Sequence, residues 1–132
     1  MKCCLVACLA ACAAVVVVAG CRPAGSEHSD EAVNVELEFD PSPPVVGEAD
    51  VTLTLASPDG QPLADANVRL EGNMNHAGMK PSFADLEEVE PGRYTGTLDF
   101  TMGGDWFVLV NANTADGGRV ERKIDVPGVM QP

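Results

Sequence analysis

From Val33 to Val126 the chain alternates apolar with polar residues again and again, and no stretch of it carries the three-to-four spacing of an amphipathic helix. Val33, Val35, Leu37 and Phe39 alternate with Asn34, Glu36 and Glu38, and Val51, Leu53 and Leu55 alternate with Thr52 and Thr54. Val68 and Leu70 then oppose Asn67, Arg69 and Glu71, while Tyr94, Leu98 and Phe100 oppose Arg93, Thr95, Thr97 and Asp99. A period of two sends successive side chains to opposite faces, so each run describes a strand with one buried face. Trp106 to Ala112 is apolar on both faces and is expected to be the most buried strand. In the last run Val120, Ile124 and Val126 share a face. Phe83 to Val89 alternates poorly and is crowded by acids, which predicts a short edge strand, where charge is tolerated.

Turn chemistry separates these runs. Asp40-Pro41-Ser42-Pro43-Pro44 breaks the first strand, and in Ser57-Pro58-Asp59-Gly60 proline presets φ while glycine accepts a positive one. Glu90-Pro91-Gly92-Arg93 fits a type II turn, and Asp116-Gly117-Gly118 reverses the chain once more. About seven short strands with regular punctuation and no internal repeat predict an all-β fold, an immunoglobulin-like antiparallel β-sandwich over residues 33–128 with a short tail at 129–132.

The first 20 residues read as a leader: Lys2, a nearly uncharged apolar run from Cys3 to Val18, then small residues before Cys21. A retained membrane helix is the alternative, but the alanine-rich composition and the stop at Gly20-Cys21 favour cleavage. Of the five cysteines, Cys3, Cys4, Cys8 and Cys12 fall inside the leader. Only Cys21 would survive, so no disulfide can join the sheets of the processed chain. Val18-Ala19-Gly20-Cys21 resembles a bacterial lipobox, which implies removal of residues 1–20 and acylation of Cys21, with several acyl chains (palmitate among them) giving stable anchoring. By the same resemblance, Arg22 permits outer-membrane sorting in a two-membrane cell, and the domain is expected in the cell envelope, facing the periplasm or exterior. Residues 21–32 hold almost nothing to bury and are expected to form a tether with a mean reach of roughly 18 Å. His28, within it, reads as a solubilising residue. The net charge of −12 becomes one unit more negative when Lys2 leaves, which argues against nucleic acid and anionic lipid as partners of the domain. No Asp-x-Asp-x-Asp-Gly pattern supports calcium.

Two stretches carry residue types unusual for turns, Met74-Asn75-His76-Ala77-Gly78-Met79 and Met102-Gly103-Gly104-Asp105-Trp106. Thioether sulfur is a soft donor suited to Cu(I), and imidazole suits copper and zinc. Met74, His76, Met79 and Met102 are therefore candidate Cu(I) ligands, with Trp106 as a shield over the cation or as core. Strand parity predicts that Val68, Leu70, Gly72, Met74 and His76 share an inward face, and that Tyr94, Gly96, Leu98, Phe100 and Met102 share another. If each short connection reverses direction, the third and fifth strands end at one pole. The alternative remains that Met74 and Met102 fill an irregular gap at the end of a sandwich and His76 faces solvent.

At these residues the chain resembles the YtkA-like domain family, related to the periplasmic part of FixH-type proteins. The similarity covers most of residues 40–112 and rests on Pro44-Val45-Val46-Gly47, Asp59-Gly60-Gln61-Pro62-Leu63-Ala64-Asp65-Ala66-Asn67-Val68, the Met74/His76/Met79 cluster, Pro91-Gly92-Arg93-Tyr94, and Met102-x-Gly104-x-Trp106. The resemblance implies an extracytoplasmic β-sandwich associated with metal efflux or with copper supply to respiratory oxidases, hence a membrane-protein partner. Members more often carry further methionines before the histidine, whereas Met74 stands alone here. An enzyme is not expected: of the two histidines one lies in the tether, and Ser82 near His76 lacks a Gly-x-Ser-x-Gly elbow. The alternative function is a metal-free interaction module that captures a membrane protein by strand addition along an edge carrying Glu87, Glu88 and Glu90.

Overall fold

The computed structural model describes residues 32–132; the leader, Cys21, Arg22, His28 and nearly all of the tether lie outside them. Seven strands follow one another: β1 (Asn34–Asp40), β2 (Gly47–Ala56), β3 (Asn67–Asn73), β4 (Ser82–Glu90), β5 (Arg93–Phe100), β6 (Gly104–Asn113) and β7 (Arg119–Val129). All pair antiparallel in the order β1-β2-β5-β4-β3-β6-β7, a nearly closed sheet, and there is no α-helix among the described residues. Because the period-two pattern turns one face of each strand inward, Leu53, Leu55, Val68, Leu70, Leu98, Phe100, Val108 and Val110 interdigitate in one core. Each such side chain contributes about 1.5–3 kcal/mol by leaving water. The outer faces keep their charges, as in the cross-strand pair Arg69–Asp85.

The order is compatible with the expected sandwich, with β1-β2-β5-β4 on one side and β3-β6-β7 on the other. One expectation fails. β4 is not an edge: Ser82–Leu86 lies along β3, and Glu87–Glu90 lies along β5, with a register shift between Glu88 and Glu90. Ala84 and Leu86 point inward while Phe83 and Val89 are exposed, so two outward apolar residues spoil the alternation that the sequence reading relies on. Glu87, Glu88 and Glu90 therefore do not decorate a free edge; the outer strands are β1 and β7.

Antiparallel pairing sorts the connections to two ends. At one end, Gly47 of β2 lies beside Phe100 of β5, Gly72 of β3 beside Ser82 of β4, and Gly104 of β6 beside Val129 of β7. The loops 41–46, 74–81 and 101–103 and the end of the chain meet there, at what we call the methionine pole. At the tyrosine pole lie Val33 and the loops 57–66, 91–92 and 114–118.

Candidate metal centre

β3 and β5 run the same way and deliver Met74 and Met102 to one pole, as expected if each short connection reverses the strand direction. Met74 remains half-buried against the core, and a Cβ built on Gly104 would lie 3.1 Å from its Cε methyl. Gly104 also has φ +125°, a conformation that glycine adopts without strain, so both the backbone and the thioether require its missing side chain. The loop then closes in a tight turn in which the Met79 amide donates to the His76 carbonyl (3.4 Å), with Gly78 at φ +84°. This turn holds His76 and Met79 together. Met79 is half-buried on the core and His76 is exposed.

Parity fails beyond the strand ends. His76 does not continue the inward row of Val68 and Leu70, because β3 stops at Asn73. Met102 likewise leaves the row of Leu98 and Phe100 and is 44% exposed, so it does not plug the end of the sheet. Trp106 takes that place. It is 2% exposed, packs edge-on to Phe100 at a centroid distance of 5.2 Å, and closes on Gly72, where a Cβ would come within 3.4 Å of its ring. Its indole N–H donates to the Met102 carbonyl at 2.8 Å and so fixes the β5–β6 turn to the core. Trp106 is thus the floor of the pole.

His76 Nδ1 lies 3.1 Å from the Ala77 carbonyl. A carbonyl oxygen only accepts, so Nδ1 carries the hydrogen, and in the neutral ring Nε2 keeps its lone pair for a ligand. The donors that the sequence names at this pole are therefore three thioether sulfurs and one imidazole nitrogen, all soft or borderline. Among the described residues no three or more of His, Cys, Asp and Glu gather into a metal-binding group. Ser82 opens β4 opposite Gly72, at the same end.

Sequence reasoning did not bring two further segments to this pole. Met130 follows β7, its amide donating to the Pro44 carbonyl and its carbonyl accepting from Val46, both at 2.9 Å. Pro127 and Gly128 interrupt the alternation just before it, so no periodic signal places it.

The tyrosine pole is built differently. The buried Tyr94 hydroxyl donates to the Leu63 carbonyl (2.7 Å) and accepts from the Ala66 amide (3.0 Å). Burial pushes its pKa up to about 12. Beside it, the Glu88 carboxylate accepts from the amides of Asp65 (3.0 Å) and Gly92 (3.3 Å). The Tyr94 hydroxyl first, and these amides after it, hold that carboxyl below its ordinary range. Gly92, at φ +78°, has no room for a side chain: a Cβ would sit 2.7 Å from Pro62. A shallow hollow lined by Val33, Pro58, Leu63 and Val120 opens here, far from the thioethers.

The YtkA-like family model matches residues 14–111. Among solved structures, the PmoD soluble domain from Methylocystis sp. ATCC 49242 (Rockwell) is similar at 12% identity and a TM-score of 0.45, over 76% of this chain and 90% of that one. No curated protein matches the chain.

Proposed function

The chain belongs to the YtkA-like family, and from that premise we propose that it is a metal-handling domain of the cell envelope that binds Cu(I) at the methionine pole. The observation that supports this reading is the convergence of Met74, His76, Met79 and Met102 from two separate loops on one end of the sheet. Soft thioethers with one neutral imidazole favour a cuprous ion over hard ions such as magnesium or calcium. In this reading Met74 and Met79 bind from the half-buried side, His76 binds through Nε2, and Met102 binds from the solvent side. Trp106 supports the turn that carries Met102. The ion is cargo, and no bond is made or broken in a substrate. Acylation of Cys21 would hold the domain at a membrane surface, where a membrane protein of metal efflux or oxidase assembly would be the natural partner.

Anaerobic titration with Cu(I) against a competing chelator tests the assignment. The double variant His76→Ala, Met102→Leu is expected to lose affinity by about 100-fold or more, since even an outer-shell partner is worth 10–100-fold. Unchanged affinity rejects the site. Because the imidazole must be neutral to bind, the parent chain also loses affinity on acidification, and the His76→Ala chain loses that part of the dependence.

A further inference from the structure

The four methionines among the described residues all lie at one pole, and the last of them, Met130, belongs to neither stretch that the proposed site draws on. It also lies beyond the residues that the family model matches. Three links bring it there. Its backbone is bonded on both sides to the loop 41–46, through Pro44 and Val46. Val129, just before it, is the register partner of Gly104 across β6 and β7. Gln131, just after it, packs on Gly103, where an added Cβ would meet its Nε2 at 2.5 Å. The residue after Met130 thus packs on the residue after Met102, which places both methionines in the same part of the pole. Both are exposed, Met102 by 44% and Met130 by 47%, whereas Met74 and Met79 are half-buried on the core.

An exposed, unbranched thioether on a fixed backbone keeps its rotamer freedom and adds little to the core, so its sulfur stays open to a ligand. We propose that Met130 is a further Cu(I) donor of this pole, an outer ligand paired with Met102 that receives the ion from solvent and passes it to the inner set. The proposal rests on the Cu(I) reading above. Thioether ligands exchange without gaining or losing a proton, so two outer sulfurs offer an entry route that acidification does not close.

The test uses the full chain with 13C-labelled methionine methyl groups, titrated anaerobically with Cu(I) and followed by the methyl resonances, one per methionine. Single Met→Leu variants assign them. The Met130 methyl is expected to shift within the first equivalent together with those of Met74, Met79 and Met102, and Met130→Leu is expected to weaken binding by about tenfold. If the other three shift and Met130 does not, Met130 is no ligand and the site proposed above still stands. If none of the four shifts, both readings fail. A Met130→Leu chain that binds with the parent's affinity and loads at the parent's rate also overturns the proposal.

Discussion

The two poles of this sheet use their side chains in opposite ways. At the tyrosine pole polar groups close on the chain's own backbone: Tyr94 on Leu63 and Ala66, Glu88 on Asp65 and Gly92, Ser57 on Gln61, and Asp116 on Gly118. At the methionine pole the backbone is held by main-chain bonds and by the indole of Trp106, and thioethers stand at or near the surface. A latch that satisfies buried donors and acceptors is worth stability, because breaking it leaves those groups unpaired. Exposed thioethers contribute little to the fold and leave their sulfurs accessible. One end is closed by its polar groups, and the other is left open.

Substitutions can break that division. The largest effect is expected from Trp106→Ala, which removes the floor beneath the methionine pole and lowers stability by about 3–5 kcal/mol in urea unfolding. At that position loss of fold and loss of metal are expected to go together. Tyr94→Phe comes next, at about 2 kcal/mol, because the Leu63 carbonyl and the Ala66 amide lose their partner. Its Cu(I) affinity stays that of the parent; a large loss would show that the poles are coupled. Met102→Leu mirrors it, changing stability by no more than about 0.5 kcal/mol while weakening Cu(I) binding. A Met102→Leu chain that is clearly destabilised but binds normally would return the pole to simple packing.

Stability against pH sharpens the contrast from the other side. Glu88 is held below its ordinary 4.5, so its charged form is favoured in the fold. That contribution is full above pH 4.5 and is lost as pH falls through the lowered value, and Glu88→Gln flattens this acid limb. Tyr94, raised from 10.0 to about 12, favours its protonated form in the fold. Its contribution is complete below pH 10.0 and fades as pH rises toward 12, an alkaline limb absent from Tyr94→Phe. The smallest effect belongs to neither pole: Asp85→Asn breaks the exposed pair with Arg69 and costs no more than about 0.5 kcal/mol.

What the sequence shows of this fold follows the range of the forces involved. The strands β1, β2, β3 and β5 are legible because burial of one face writes a period of two directly into neighbouring residues, and β6 because its apolar run is continuous. The place of β4 is not, since strand order is set by distant partners. Its outward Phe83, covered by Arg69 at 4.9 Å, and outward Val89 hide its parity. At the candidate site, reversal of direction at each short connection carries Met74 and Met102 to the same pole. Parity fails for the facing of His76 and Met102, which lie past the last ladder bond, where the turn rather than the pleat aims the side chain. Met130 reaches the pole through a parallel bridge between Val45 and itself, a contact that no local pattern announces. The latch of Tyr94 and Glu88 reaches Leu63, Asp65 and Ala66, which lie 23 to 31 positions away, and is equally silent.

The described chain starts beside Val33 at the tyrosine pole, and the seven residues of β1 then run the height of the sheet, roughly 24 Å, before the methionine end is reached. The residues that precede Val33 therefore join the domain at the end opposite the sulfurs, and a ligand that reaches the methionine pole does so a full strand length away from that junction.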